Sequence, residues 1–175
     1  ATTIRLHPSL GLALLHAKQE TAGRIWLLCR HLDRAGRGWL PVDRLRQAFA
    51  TPDAPHHVGG WRRLRQILHP GDGLFWTRDA YDRTWLRSTA RVAEALHVER
   101  LAGRPVELQA ADLCGSIRAV RAQLYAAFHS GRRTAAPISR ATLRRLTSVA
   151  PRTQRAYDAL AGVRRTASIA VGAPY

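Results

Sequence analysis

Two short basic runs hold the side chains of this sequence that are best suited to molecular recognition. They are Arg62-Arg-Leu-Arg-Gln66 and Arg152-Thr-Gln-Arg155. A guanidinium group can bridge the O6 and N7 acceptors of guanine, and a glutamine amide can pair with N6 and N7 of adenine. If each run lies on the exposed side of a helix, the two runs would read base edges in the major groove of duplex DNA.

Arginines outside these runs are expected to hold the nucleic-acid backbone or the minor groove. Arg78 and Arg83 fall in two segments that predict a hairpin, Arg140 lies in a short predicted helix, and Arg164 and Arg165 begin the last stretch of the chain. Phosphate contacts set orientation, whereas base contacts supply specificity. The candidate DNA-binding residues are therefore Arg62, Arg63, Arg65, Gln66, Arg78, Arg83, Arg140, Arg152, Thr153, Gln154, Arg155, Arg164 and Arg165.

The patterns that could belong to an enzyme are incomplete. His97-Val-Glu-Arg100 has the His-x-x-Arg spacing of tyrosine recombinases, but the candidate nucleophiles Tyr125 and Tyr157 lie in segments predicted to be helical. The adjacent pair His56-His57 has no acidic cluster beside it. No glycine-rich phosphate loop with a lysine is present. We therefore predict no catalytic residue, no bound metal and no cofactor.

The charge of the chain supports a polyanionic partner. Among 175 residues, 28 are basic and 12 are acidic, which gives a formal net charge of +16 and a pI near 11.6. GC-rich codons would explain why Lys18 is the only lysine, but they would not explain the basic excess. A strongly basic domain is typical of proteins that bind nucleic acids.

Membrane and redox roles find no support in the composition. No apolar run approaches the roughly 20 residues that cross a bilayer, and the start of the chain lacks the pattern of a secretory signal. Cys29 and Cys114 supply neither a metal-binding spacing nor a disulfide framework. We expect a cytoplasmic protein, associated with the nucleoid, that has no small-molecule substrate.

The spacing of apolar residues predicts a mainly α-helical chain with one hairpin. Leu113, Ile117, Val120, Leu124 and Phe128 follow one another at helical intervals of four, three, four and four. Pro-Gly and Gly-rich stretches separate the elements. The predicted helices cover residues 9–18, 21–35, 41–49, 61–69, 88–97, 112–130, 137–146 and 151–161. The predicted hairpin strands cover 74–78 and 83–87, and residues 105–108 form either a short strand or an extended linker.

Tryptophan is concentrated in the first half of the chain. Trp26, Trp61, Trp76 and Trp85 are expected to pack the core and the hairpin. Stacking on bases, as in proteins that bind single strands, is the alternative role for such side chains.

Residues 137–161 resemble the helix-turn-helix of bacterial regulators and replication proteins. Leu143 and Leu146 match the inward positions of the first helix, Val149 matches the apolar residue of the turn, and residues 152–155 match the exposed start of the recognition helix. Ser148 stands where glycine is usual. Ala150 replaces the usual capping serine and is followed by Pro151, a residue suited to the first helical position. The register of this segment predicts that Leu146, Val149, Ala156 and Leu160 point inward and that the polar residues of the last helix point outward.

A similar plan occurs earlier in the chain. Residues 21–35, 41–49 and 58–69 precede the hairpin and together resemble a winged helix, in which three helices are followed by a two-stranded wing. We therefore predict a mainly α protein with tandem helix-turn-helix units, the first winged. The predicted domains are residues 1–102, with flanking helices, and residues 103–175, with a basic tail. This layout is similar to tandem winged-helix initiators of plasmid or phage replication.

The predicted function is sequence-specific binding of double-stranded DNA through two recognition helices. The biological role would be that of a transcriptional regulator or of a plasmid or phage replication initiator. Because one chain would carry both helices, an oligomer is possible but not required. The alternative is a basic RNA-binding or nucleoprotein-assembly factor that reads no DNA bases.

Overall fold

The computed structural model describes residues 3–101, 103–131 and 137–164, and these residues form a mainly α structure. The helices are α1 (Pro8–His16), α2 (Glu20–Leu32), α3 (Val42–Phe49), α4 (Trp61–Gly71), α5 (Thr89–Ala95), α6 (Ala110–Cys114), α7 (Ile117–Ser130), α8 (Arg140–Thr147) and α9 (Pro151–Ala161). The strands are β1 (Thr3–Leu6), β2 (Trp39–Pro41), β3 (Trp76–Arg78), β4 (Arg83–Leu86) and β5 (Val106–Gln109). The predicted mainly α class is confirmed.

A three-stranded antiparallel sheet contains the predicted hairpin and one strand that the sequence pattern did not reveal. The strand order is β2-β4-β3, so β2, which precedes α3, pairs with the second strand of the hairpin. Leu40, Thr84 and Trp76 are buried against the helices. Because side chains alternate along a strand, Trp39 and Trp85 lie on the opposite, outer face. The hairpin is therefore one edge of a small sheet that is anchored to the helices.

A second, two-stranded sheet joins the beginning of the chain to its middle. β1 pairs antiparallel with β5, with Ile4 opposite Leu108 and Leu6 opposite Val106. Ile4, Leu6 and Leu108 are buried. The sequence predicted either a short strand or an extended linker for residues 105–108, and most of this segment belongs to strand β5.

One hydrophobic core includes residues from both of the predicted domains. Trp26 and Leu28 of α2 belong to the same cluster as Val120 and Leu124 of α7. The Arg24 guanidinium also crosses the predicted boundary, since Nη1 donates to the Gly115 carbonyl oxygen at 2.6 Å. The boundary near residue 103 therefore does not separate two independent cores.

The long helix predicted over 112–130 is interrupted. α6 ends at Cys114, Gly115 is extended with φ −68° and ψ −170°, and Ser116 begins α7 as its N-cap. The Ser116 hydroxyl oxygen accepts a hydrogen bond from the Ala119 amide at 3.2 Å. A glycine followed by a good capping residue ends one helix and begins the next, although the apolar spacing continues through the break.

Candidate nucleic-acid interface

The exposed side of α4 carries the first predicted basic run. Leu64, Ile67 and Leu68 are buried on one side of this helix. On the other side, all four predicted contact residues are exposed: Arg62, Arg63, Arg65 and Gln66. No acidic residue occurs in Trp61–Gly71. The expected outward orientation of this run is confirmed, and the exposed surface is cationic in the first half of α4.

Trp61 brings an arginine of α3 next to this surface. The guanidinium carbon of Arg46 lies 5.5 Å from the centroid of the Trp61 ring, and that of Arg65 lies 5.8 Å from it. Both distances are within the range of cation–π attraction. Arg46 is exposed and was not among the candidate DNA-binding residues chosen from the sequence. The sequence could have indicated this exposure, because Arg46 follows Asp43 by three residues and so lies on the polar side of an amphipathic helix.

The end of α4 is fixed to the hairpin by a buried tryptophan. The Trp76 indole Nε1 donates to the Leu68 carbonyl oxygen at 2.9 Å. The ring lies so close to Gly71 that a Cβ at that position would be 2.2 Å from ring atom Cζ2. The absence of a side chain at Gly71 therefore allows β3 to pack directly on the last turn of α4.

The two candidate arginines of the hairpin have different surroundings. Arg78 is exposed. Arg83 is half-buried, and its Nε donates to Asp79 Oδ2 at 2.7 Å. Its guanidinium also lies 5.1–5.5 Å from the centroids of three aromatic rings, those of Trp39, Tyr81 and Trp85. Arg83 is thus built into the hairpin, and Arg78 is the more accessible of the two candidates.

A three-residue turn joins α8 to α9 in the second predicted unit. Ser148 adopts the left-handed conformation with φ +57°, which is the conformation that makes glycine usual at this position. Thr147 holds the turn, since its hydroxyl donates to the Leu143 carbonyl oxygen at 2.7 Å and accepts from the Val149 amide at 3.2 Å. Ala150 makes no side-chain cap, and Pro151 is the first residue of α9.

The predicted orientation of the last helix is partly wrong. Gln154 is buried, and its Nε2 donates to the carbonyl oxygens of Arg140 and Val149 at 3.0 and 2.9 Å. Its amide group therefore supports the turn and is not available to a base. Conversely, Leu146 and Leu160, predicted to point inward, are 37% and 54% exposed.

Arg140 is also held within this unit. Its Nη2 donates to Asp158 Oδ2 at 3.0 Å, and the side chains of both residues are mostly buried. The pair joins the start of α8 to α9. A charged pair of this kind satisfies the polar groups that the helix packing encloses, so Arg140 has a structural partner that competes with any phosphate.

The other candidates of this region differ in accessibility. Arg152 and Arg155 of α9 are exposed, as predicted, and Arg164 is also exposed. Thr153 is half-buried. Arg165 lies outside the described residues. The accessible part of the second basic run is therefore its two arginines.

The two tyrosines considered as nucleophiles lie in the core. Tyr125 and Tyr157 are buried, and their rings are 6.0 Å apart. Burial raises the pKa of the Tyr157 phenol, and the nearby Glu20 carboxylate raises it further, while Arg121 and Arg118 act in the opposite direction. A raised phenol pKa disfavours the phenolate that nucleophilic attack requires.

Within the described ranges, no group of three or more His, Cys, Asp and Glu side chains is arranged to hold a metal ion. His56 instead lies edge-on to His31, with ring centroids 5.6 Å apart. No helix of the residues described is both long and apolar enough to span a bilayer.

Comparison of the chain with family models, with curated proteins and with solved structures gives no match.

Proposed function

We propose that this protein binds double-stranded DNA and that α4 is its principal recognition helix. The observation that carries the proposal is the exposed surface of α4, where three arginines and a glutamine project from a helix without acidic residues. Side chains of these two types form the commonest bidentate contacts to guanine and adenine. An α-helix with its side chains is about 10–12 Å in diameter, which suits the major groove, roughly 12 Å wide.

The order of elements around α4 supports a winged-helix interpretation. Three helices, α2, α3 and α4, are followed directly by the hairpin β3–β4, and β2 adds a third strand to it. Trp76 ties that hairpin to the end of α4. In this arrangement the hairpin is the wing, and Arg78 would contact phosphates or the minor groove beside the groove that α4 enters.

The second helix-turn-helix is proposed as an additional contact. Arg152 and Arg155 lie exposed near the start of α9, the part of a recognition helix that reaches base edges. With Gln154 buried, these two arginines are suited to guanine or to phosphate. We infer a regulator or a replication initiator whose site includes guanines.

Selection of bound duplexes from a random pool, followed by footprinting, tests the proposal. A specific duplex reader should prefer its selected site over bulk DNA by about 10³-fold or more. Arg62→Ala and Arg63→Ala should each cost about 1–3 kcal/mol at that site if they remove bidentate base contacts. Arg91→Ala is the matched control, because it removes an exposed arginine from a helix other than α4. Arg91 lies on α5, and its Nη1 is 3.6 Å from Glu94 Oε2.

Two results would contradict the proposal. In the first, the selection yields no preferred duplex and a structured RNA competes as well as DNA, which would favour the RNA-binding alternative. In the second, the Arg62 and Arg63 variants bind the selected site as tightly as the Arg91 variant. Salt dependence alone separates neither case, because both kinds of complex lose affinity as salt rises.

A further inference from the structure

The outer face of the three-stranded sheet carries a cluster of aromatic rings that the core does not use. Trp39 of β2 lies directly opposite Trp85 of β4, and their ring centroids are 6.0 Å apart with planes inclined by 39°. Tyr81 lies in the turn between β3 and β4. Trp85 is 40% exposed and Tyr81 is 79% exposed. We refer to Trp39, Tyr81 and Trp85 as the aromatic face.

Hydrogen bonds hold the aromatic face in place. The Trp85 indole Nε1 donates to Asp79 Oδ2 at 2.9 Å. The other carboxylate oxygen, Oδ1, accepts the backbone amides of Tyr81 and Arg83 at 2.9 and 3.0 Å. The polar atom of the exposed tryptophan is thus satisfied inside the hairpin, while its ring remains partly open to solvent. Because the rings are already held in position, the protein would lose little additional conformational freedom when a ligand binds.

The charges around the aromatic face are of both signs. Arg83 lies between the three rings, at 5.1–5.5 Å from each centroid. Arg37, two residues before Trp39, and Asp82, next to Tyr81, are exposed. Arg78 pairs with Thr84 and therefore lies on the opposite face of the sheet. The Asp79 carboxylate is directed to donors within the hairpin, including the Arg83 guanidinium. A ligand with flat rings fits these surroundings, and the net charge of +16 on the whole chain favours a ligand that carries negative charge.

The types of residue on this face favour unpaired bases over a lipid surface as the partner. Alternation along β2, β3 and β4 places Trp39, Pro41, Thr77, Arg83 and Trp85 on the outer side. None of these five is an aliphatic residue of the Leu, Ile or Val type that would insert into a lipid surface. Aromatic rings interleaved with arginine are instead typical of surfaces on which unpaired bases stack, because every base offers a π-face.

We propose that the aromatic face binds unpaired bases of single-stranded nucleic acid by stacking on Trp85 and Tyr81, with Arg83 supporting the rings. This activity lies on the sheet and not on α4, so it does not rest on duplex recognition. It would let the protein hold an opened strand next to a duplex.

The test compares oligonucleotides of equal charge. The probes are a 12-mer of thymidine, a 12-mer of abasic deoxyribose phosphates and a 12-mer of uridine, each with a fluorescent label for anisotropy. The abasic probe keeps the phosphates and removes the bases. The uridine probe distinguishes RNA from DNA as the natural source of unpaired bases. The variants are Tyr81→Ala and Trp85→Leu, with Trp85→Phe as the ring-preserving change and Thr77→Ala as the control on the same face.

The expected result is tighter binding of the thymidine or uridine probe than of the abasic probe. Stacking on one aromatic ring typically contributes about 1–3 kcal/mol per base, so Trp85→Leu should weaken binding of the base-containing probe roughly 5- to 150-fold. Binding of the abasic probe should not change. Tyr81→Ala should act in the same direction, and its exposed position means that the fold is retained. Trp85→Phe and Thr77→Ala should stay within about threefold of the parent protein.

The inference is overturned if the parent protein binds abasic and base-containing strands equally well. It is also overturned if Tyr81→Ala and Trp85→Leu weaken both probes to the same extent, since that outcome would assign the binding to charge alone. Either failure would leave the role proposed for α4 intact, because the duplex experiment uses variants on a different element.

Discussion

Gly71 is the point at which α4 meets the hairpin, and Gly71→Ala tests how closely the two are packed. The added Cβ would lie 2.2, 2.7 and 2.9 Å from three atoms of the Trp76 ring, whereas carbon atoms in contact are about 3.5–4.0 Å apart. The ring would therefore have to withdraw by about 1 Å. Trp76 is fully buried and its indole Nε1 is hydrogen-bonded to the Leu68 carbonyl oxygen, so little space is available for that movement.

The expected cost combines two effects. Overpacking of a filled core costs about 1–3 kcal/mol, and a lost hydrogen bond from a buried donor costs about 1–3 kcal/mol more. We expect Gly71→Ala to lower the free energy of unfolding by about 2–6 kcal/mol. Urea denaturation followed by circular dichroism would measure this loss as a decrease of roughly 1–2 M in the midpoint.

Gly60→Ala is the matched control at the other end of the same helix. Gly60 has an ordinary φ of −64°, and a Cβ there would meet nothing within 4 Å. Alanine is a poorer N-cap than glycine, which lowers stability, but it also restricts the unfolded chain, which raises stability. The free energy of unfolding should therefore change by no more than about 1 kcal/mol. Equal stability of the Gly71 and Gly60 variants would refute the argument, because it would mean that the Trp76 ring repacks without cost.

Two further predictions concern polar groups. Arg24→Leu should lower the free energy of unfolding by about 1–3 kcal/mol, because it leaves the Gly115 carbonyl oxygen without its donor. Urea denaturation would measure this loss. Unchanged stability would contradict the prediction and would show that water replaces the guanidinium as the donor. The pKa of Asp79 is well below its ordinary value near 3.8, first because of the hydrogen bond from Trp85 and then because of those from Arg83 and Tyr81. Because the pKa of Asp79 is lower in the folded than in the unfolded chain, its ionised carboxylate stabilises the fold at pH values above about 4, and this contribution is lost progressively as pH falls. Asp79→Asn removes the carboxylate, so the decline in stability below about pH 4 should be smaller in this variant. A parallel decline in both proteins, measured by thermal unfolding from pH 2 to 6, would exclude this role of Asp79.

Local patterns predicted the elements on which the proposed function mainly depends. The turn at residues 70–73, the aromatic and β-branched strands and the four-residue link between them identify the hairpin, which forms as β3 and β4. The apolar residues Leu64 and Leu68 gave the orientation of α4 because its two sides differ sharply in polarity. In such segments the information is contained within a few neighbouring residues, and tertiary contacts only reinforce it.

The orientation of α9 depends on partners that local spacing cannot reveal. Gln154 and Asp158 look like surface residues, yet each meets a group of α8 or of the turn that makes its burial acceptable. Once this polar side is enclosed, Leu160 has to point outward. β1 was missed for a related reason, since a four-residue strand is recognised only through β5, about 100 residues later in the chain.

The pairing of β1 with β5 also bears on how the protein can be dissected. A fragment that begins after residue 103 would carry β5 without β1, the strand with which it pairs, and α7 with its α1-facing side exposed to water. The complementary fragment would lose the strand that aligns its first residues. The two pieces are therefore better regarded as halves of one folding unit than as transferable modules, and a shortened version for crystallisation or fusion would have to retain the opening strand together with its distant neighbour.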